Sequence, residues 1–325
     1  MTDPSVTLVQ EFYGRRALVL GGSGFIGGAL ARRLVTLGAH VTLTATGPAT
    51  AQRVVDLAER AQIEIADLCD RERLAALVPG QDFIFNFAGV SGAVQSNTRP
   101  AEDLEVNGRG VLNLLEACRE LNSTARIIFP GSRLQYGVPV YLPVDEAHPL
   151  RPISIYGAHK LLGEVYHHLY HRTHGLRTTV LRISNPYGFS HPPAEGAEYN
   201  VVGRFIHAAL ADQPLQVFGD GRQQRDYLHI DDVVEAVLRT ALTEAMVGQA
   251  YNLGAGRPVP LIEMAQLIVS TIGRGRVEQV PWPEQFKLVE TGDFYFSIAR
   301  LTQALNWGPR IELAEGVRRS LGTER

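Results

Sequence analysis

The chain predicts an α/β fold, a doubly wound parallel sheet followed by a smaller, loop-rich C-terminal region. Three observations say so. Apolar runs of strand length alternate with helical patterns through the first half, and strands separated by helices pair in parallel through right-handed crossovers. The first of these strands runs straight into a glycine turn that opens a helix. After about residue 185 the alternation gives way to punctuation by Pro186, Gly188, Pro192, Pro193, Gly196, Gly219 and Gly221. The expected division puts residues 1–185, with about 229–250, in the sheet domain, and 186–228 with 251–325 in the second.

The elements follow in order. Residues 1–13 read as a short leader. Residues 17–20 are an unbroken apolar run closed by Gly21, long enough for a strand and too short for a helix. Beyond the glycines, Phe25, Ile26, Leu30 and Leu34 recur at helical spacing, which gives a helix over 25–37. Residues 41–44 and the shorter run 63–65 supply the second and third strands. Residues 83–87, 126–129 and 178–183 are further strand-length runs, separated by helical patterns near 109–121 and over 156–174. His167, His171 and His174 share a face of that last helix with no carboxylate or cysteine at ligand spacing, so they read as a solvated face and no metal site is expected.

Composition narrows the class. Among 325 residues, 45% are hydrophobic and 20% charged, the balance of a water-soluble globular chain. A net charge of −3 gives no support for nucleic-acid or anionic-membrane partners. Cys69 and Cys118 lack metal-like spacing and fit a reduced, cytoplasmic setting. No apolar stretch approaches the length that spans a bilayer, and the N-terminus lacks the charged start and apolar core of a signal peptide.

Chemistry gathers at two places. Gly21, Gly22, Gly24, Phe25, Ile26 and Gly27 satisfy Gly-x-Gly-x-x-Gly from Gly22 and Gly-x-x-Gly-x-x-Gly from Gly21. Placed between a strand and a helix start, such glycines let the backbone approach a pyrophosphate while the helix offers free N–H groups and a positive dipole end, so a dinucleotide is expected. An NAD site usually shows an acid about 20 residues further on. Here the second strand ends Thr44, Ala45, Thr46, Gly47, without one. Ala45 leaves room for a 2′-phosphate that Thr46, Arg32 or Arg53 could meet, and the expectation between NAD and NADP leans to NADP. The second place is Tyr156 with Lys160. Of 31 basic residues only Lys160 and Lys287 are lysine, yet one stands a helical turn after a tyrosine. A compact ammonium beside a phenol can lower the phenol's pKa toward neutrality, where it can move a proton.

With these motifs in hand, the chain resembles the extended short-chain dehydrogenase/reductases, the NAD(P)-dependent nucleotide-sugar epimerase and dehydratase group, from about residue 17 to 320. The resemblance implies a Rossmann domain for the dinucleotide and a second domain for a nucleotide-diphosphate sugar. Gly21, Gly24, Phe25, Ile26 and Gly27 match its cofactor turn. Asp67 and Leu68 match its adenine contact, and Phe87, Ala88 and Gly89 its small-residue strand end beside the cofactor. Asn107 matches an asparagine that props the active site. Ser132, four residues before Tyr136 of the Tyr-Gly pair, aligns with the catalytic serine or threonine, and Tyr156 and Lys160 complete the triad. Asn185, Phe218 in the run 215–221, and Arg225 before Asp226 and Tyr227 match the segments around the sugar nucleotide, as do Asp231 and Asp232. Ser91 and Arg133 stand in loops expected to choose the sugar, with 186–203 supplying a roomy pocket.

Two departures bear on the reaction. Gly131 replaces the first of the family's paired serines, and Ser132, Arg133, Leu134 stand where 4,6-dehydratases carry Thr-Asp-Glu, so dehydration is not expected. Residues 289–293 lack the arginine the family often places before its final aspartate. The resemblance then implies a 4-epimerase: Tyr156 as base toward the C4 hydroxyl, Ser132 hydrogen-bonding the same oxygen, Lys160 tuning the phenol. An NADPH-dependent 4-ketoreductase is the alternative, favoured by Ala45. A non-catalytic dinucleotide-binding regulator is the reading from another class, disfavoured by the intact triad. A homodimer through the helices near 109–121 and 156–174 is expected by the same resemblance.

Overall fold

The computed structural model describes residues 4–189 and 200–322. Six strands come from residues 16–183: β1 (Arg16–Leu20), β2 (His40–Ala45), β3 (Ala61–Ile65), β4 (Phe83–Asn86), β5 (Arg126–Ser132) and β6 (Arg177–Ile183). With the later strand Ala250–Leu253 they form one seven-stranded, wholly parallel sheet, running Ala250–Leu253, β6, β5, β4, β1, β2, β3. The chain winds outward in both directions from β1 and β4. The crevice beyond their carboxyl ends is therefore the switch point at which such sheets bind ligands.

Helices cover both faces. Leu30, Leu34 and Val35 of helix Phe25–Thr36 and Val233, Val237 and Leu238 of helix Ile230–Leu242 close one core, with Phe83 and Phe85 from β4. Leu114, Leu115 and Cys118 of helix Val111–Leu121 close the other over Leu18, Ile84 and Ile127. Helix Ile155–His174 differs. Its inward face is Gly157, Lys160, Gly163, Glu164 and His167, small or polar rather than aliphatic. Gly163 is there for closeness, since a Cβ would lie 2.6 Å from the Phe129 ring. Ser154 caps the helix by accepting from the Gly157 N–H at 3.1 Å, and Gly175 ends it at φ 71°.

Three expectations change. Residues 4–12 form a helix, Pro4–Phe12, rather than a loose leader: Leu8 and Phe12 are one turn apart and both buried, with the Phe12 ring 4.9 Å from Phe83. His167 is wholly buried, stacked 4.4 Å from the Phe129 ring with Nδ1 on the Gly163 carbonyl at 2.7 Å, so the histidine face is not solvated there. Burial pushes its pKa down to about 4. The sheet also continues past residue 250, because all four residues of Ala250–Leu253 are buried and pair with β6 from Val180 to Ile183.

The second region caps the crevice. It contributes the three-stranded sheet Pro258–Pro260, Gln224–His229, Asn185–Tyr187 and the pair Arg276–Val280 with Pro214–Phe218. Helices Val201–Leu210 and Leu261–Ile272 pack there around Phe205, Val217, Met264 and Ile268. Of the loop 186–203 expected to shape the pocket, residues 190–199 lie outside the described residues.

Candidate active site

A cleft of about 540 Å³ runs from the glycine turn, past the ends of β4 and β5, to the second region. At its start, Gly21 sits at φ 71°, donates to Thr44 Oγ1 at 3.0 Å, and has no room for a side chain: a Cβ would come within 2.6 Å of the Ala88 backbone. A Cβ on Gly27 would lie 2.2 Å from the Gly21 carbonyl oxygen. Helix Phe25–Thr36 begins at Gly24 with no side-chain cap hydrogen bond and no acidic residue in its first turn, which leaves its positive dipole end without a charge of that turn's own. Gly24, Phe25, Ile26 and Gly27 line the cleft at that point. These residues fit the pyrophosphate of a dinucleotide.

The far wall is built by the family-like triad. Ser132 ends β5 and lines the same wall of the cleft as Tyr156, close enough to draw the phenol's pKa downward. Tyr156 is set in place by the start of its helix, where its N–H donates to Ser96 Oγ at 2.9 Å and the Ile155 N–H to Asn97 Oδ1 at 3.0 Å. Lys160 follows one turn later, its Nζ donating to the Pro130 carbonyl at 3.0 Å and lying 5.8 Å from the Tyr156 ring centre. Burial pushes the lysine down to about 8. Burial also pushes the Tyr156 phenol up to about 12, against the opposing pull of the Ser132 side chain. The expected pull of Lys160 toward neutrality is thus not what sets the phenol in the protein by itself; loss of water is the larger effect.

The expected cofactor and substrate residues divide in two. Phe87, Gly89, Ser91, Ser132, Arg133, Tyr156, Lys160, Asn185, Phe218 and Arg225 all line the cleft. Gly21, Thr46, Asp67, Leu68, Ala88 and Asn107 do not, and several have visible duties behind it. Ala88 packs under Gly21. Leu68 is core, and its carbonyl accepts from Asn113 Nδ2 at 3.2 Å. Asp67 accepts from the Cys69 N–H at 2.8 Å. Asn107 sits in a π-helical turn, Glu105–Gly110, and donates to the Val90 carbonyl at 2.9 Å, holding the strand end that carries Gly89. Of the pair after Arg225, Asp226 is a buried knot accepting from the N–H groups of Ala255, Gly256 and Phe296; burial pushes it up to about 6. Asp232 similarly receives the N–H groups of Arg310 and Ile311.

Sequence reasoning missed the support behind Ser132. The Ser132 N–H donates to Gln135 Oε1 at 2.6 Å, Gln135 Nε2 donates to Glu164 Oε2 at 2.7 Å, and Arg182 holds Glu164 with two nitrogens at 2.5 and 2.9 Å. Arg182 also reaches the Tyr136 hydroxyl at 2.5 Å, which donates to Asn252 Oδ1 at 2.6 Å. Gly131 makes this possible, since a Cβ there would lie 2.6 Å from Gln135 Oε1. The available signal was spacing: Glu164 stands one turn beyond Lys160 and two beyond Tyr156. Glu290, in the segment where an arginine was missing, is a second unforeseen member and pairs with Arg225.

A model of the NAD dependent epimerase/dehydratase family matches residues 17–254. The UDP-glucose 4-epimerase of Mycolicibacterium smegmatis is 31% identical over 314 residues, covering 94% of this chain and 97% of that protein. The dTDP-glucose 4,6-dehydratase of Streptomyces niveus is 28% identical over 321 residues, 93% of this chain and 90% of that one. Among solved structures, the UDP-glucose 4-epimerase of Thermus thermophilus in complex with NAD matches with a TM-score of 0.81 at 29% identity, over 95% of this chain and 98% of that chain.

Proposed function

Because the chain belongs to the NAD-dependent epimerase/dehydratase family, we propose that it is a nucleotide-sugar 4-epimerase. The reaction would oxidise C4 of a nucleoside-diphosphate hexose and reduce it again from the other face. The observation that carries this reading is that Ser132, Tyr156 and Lys160 line one cleft that starts at the glycine turn, with Lys160 one turn along the helix from Tyr156. The M. smegmatis relative is named for this activity. Arg133 and Leu134 supply neither of the carboxyl groups a 4,6-dehydratase needs at that place, which separates the chain from its S. niveus relative.

When bound, the dinucleotide supplies the hydride acceptor and donor. The rest falls to the chain. Tyr156 takes the proton of the C4 hydroxyl and later returns it, while Ser132 hydrogen-bonds the same oxygen and opposes the build-up of charge on it. A phenol at about 12 is a poor base near neutral pH, and Ser132 and Lys160, which line the same cleft, are the residues placed to bring it down. Arg225 is the residue for the diphosphate, exchanging Glu290 for it.

NAD is the better cofactor reading. Arg32, one of the groups that could meet a 2′-phosphate, is held by Asp56 through two nitrogens at 2.7 and 2.8 Å. The T. thermophilus structure contains NAD. Ala45 keeps a second reading in play, an NADPH-dependent 4-ketoreductase. The helix pair near 109–121 and 156–174 is read as a homodimer face, with Val165 and Leu169 exposed on the longer helix. No helix of the described residues is long and apolar enough to cross a membrane.

Tyr156→Phe tests the mechanism. Turnover should fall by roughly 10²–10⁴-fold with dinucleotide binding kept; unchanged turnover removes the reading. Mass spectrometry of dinucleotide released on denaturation separates the two enzymes. Near-stoichiometric NAD fits an epimerase, and an empty site that takes up NADPH reversibly fits a reductase.

A further inference from the structure

Arg133 is an arginine that no carboxylate among the described residues touches, with Glu290 and Asp226 acting on it only from further off. It is half-buried at the cleft, and the fully buried arginines are met by more protein partners, although Nη1 of Arg126 is left without one. Arg182 has Glu164, Arg225 has Glu290 with the Gly292 and Gln224 carbonyls, and Arg126 takes the carbonyls of Thr240, Ala241 and Thr243 where a helix ends. Arg133 has two neutral acceptors, Asn185 Oδ1 at 3.0 Å on Nε and Thr291 Oγ1 at 3.1 Å on Nη1, and lies 5.4 Å over the Phe294 ring. Among the described residues no carboxylate lies within ion-pair reach of it and Nη2 has no hydrogen-bond partner. Burial, with Arg225 adding to it, pushes its pKa down to about 9, against the opposing pull of Glu290 and Asp226. A second orphan stands in the same cleft: the Tyr227 hydroxyl is buried without a partner, within electrostatic reach of both arginines.

The position of this charge matters. Arg133 directly follows Ser132, so one end of its residue is fixed beside the reacting oxygen. Its guanidinium is fixed by Thr291, next to the Glu290 that pairs with Arg225. If Arg225 receives the diphosphate on C1 and Ser132 the oxygen on C4, the guanidinium faces the edge of the ring between them. We infer that the sugar carries a carboxylate on that edge and that the substrate class is a nucleoside-diphosphate uronic acid, recognised by Arg133 with the Tyr227 hydroxyl as a further donor. A carboxylate there would supply the missing counter-charge through the planar fork of the guanidinium, which Asn185 and Thr291 already hold in one orientation. The inference rests on the epimerase reading only for where the ring lies.

The test compares UDP-glucuronate with UDP-glucose, and both with UDP, on two proteins. With NAD-loaded wild type, kcat/KM for UDP-glucuronate should exceed that for UDP-glucose by at least about tenfold, the low end for a charged hydrogen bond. Arg133→Gln should collapse that ratio, and Arg133→Lys, which keeps the charge and loses the fork, should leave an intermediate one. Dissociation constants on Tyr156→Phe give the same comparison without turnover. Tighter binding of UDP-glucuronate than of UDP-glucose there upholds the inference even if no sugar is epimerised, in which case the epimerase reading alone fails. Equal ratios for the two sugars overturn it while leaving that reading intact. If Arg133→Gln weakens UDP as much as UDP-glucuronate, the guanidinium serves the diphosphate and the inference is likewise overturned.

Discussion

The protein builds two arginine–glutamate pairs around its site, and they are not alike. Arg182 and Glu164 lie behind Ser132 with side chains 6% and 3% exposed. Gln135, Tyr136 and His168 take up the remaining hydrogen-bonding capacity of the pair. Arg225 and Glu290 stand at the wall of the cleft, 9% and 24% exposed, with the glutamate reached from solvent. The first pair is closed, and its partners are all protein. The second lines the cleft, where on the proposed reading a ligand anion would open it. The same two side chains thus serve rigidity in one place and exchange in the other, and what decides is whether the surroundings leave either charge an alternative.

Breaking the closed pair should cost the most. Glu164→Gln leaves the Arg182 guanidinium buried without a counter-charge, and unfolding by urea should show a loss of about 3–5 kcal/mol. Glu290→Gln, measured alongside, should cost less than about 1 kcal/mol because water reaches that site. Equal losses would erase the distinction between the pairs.

Acid probes the closed pair without mutation. Burial alone would raise the Glu164 carboxyl, but hydrogen bonds from Arg182, His168 and Gln135 outweigh it and bring it down to about 2, against an ordinary 4.5. A carboxylate lowered on folding stabilises fully above its unfolded pKa and loses that contribution as pH falls through the folded one. Between pH 6 and pH 3 wild type should therefore lose about 2 kcal/mol more than Glu164→Gln does. Parallel pH profiles for the two proteins would show that the carboxylate is not held as described.

The contrast also marks what could be read from the chain. Strand and helix order was legible because periodicity and the glycine turn are local, and so was the meeting of Tyr156 and Lys160 in the cleft, because they share one helix face. The docked helix Pro4–Phe12 escaped because its one buried pair, Leu8 and Phe12, is too short a pattern to stand out. The support of Ser132 escaped for a different reason. Gln135 and Glu164 are 29 residues apart, and the space for them depends on the absent side chain of Gly131. The upward shift of the Tyr156 phenol was missed too, since burial is a property of the fold and not of the spacing.

Gln135 links the closed pair to the chemistry, and its loss should be felt in rate rather than in binding. Gln135→Leu leaves the Ser132 N–H buried without its acceptor, a cost of about 1–3 kcal/mol, part of which appears as displacement of the hydroxyl. We expect kcat to fall about tenfold with KM nearly unchanged. Gly131→Ala should do much the same by pushing the amide aside. The double variant should then be little worse than either single one, because both remove one contact. Additive losses would mean that the two residues act separately.

The smallest effect belongs to the open pair. Arg225 pairs with Glu290, so on the proposed reading a diphosphate would have to displace that carboxylate, and part of the binding free energy would go into doing so. Glu290→Gln removes the competitor and leaves Arg225 with the Gly292 and Gln224 carbonyls, which hold the guanidinium in place. The dissociation constant of UDP, measured by calorimetry at fixed salt, should drop about three- to fivefold, the worth of one partly solvated ion pair of under about 1 kcal/mol. The gain should shrink with added salt, which screens both the lost competitor and the new ligand. Glu164→Gln should give no such gain, because the charge it frees faces protein alone. If UDP binds more weakly to Glu290→Gln, the glutamate is holding Arg225 in register for the ligand, and the second pair would have to be counted as closed like the first.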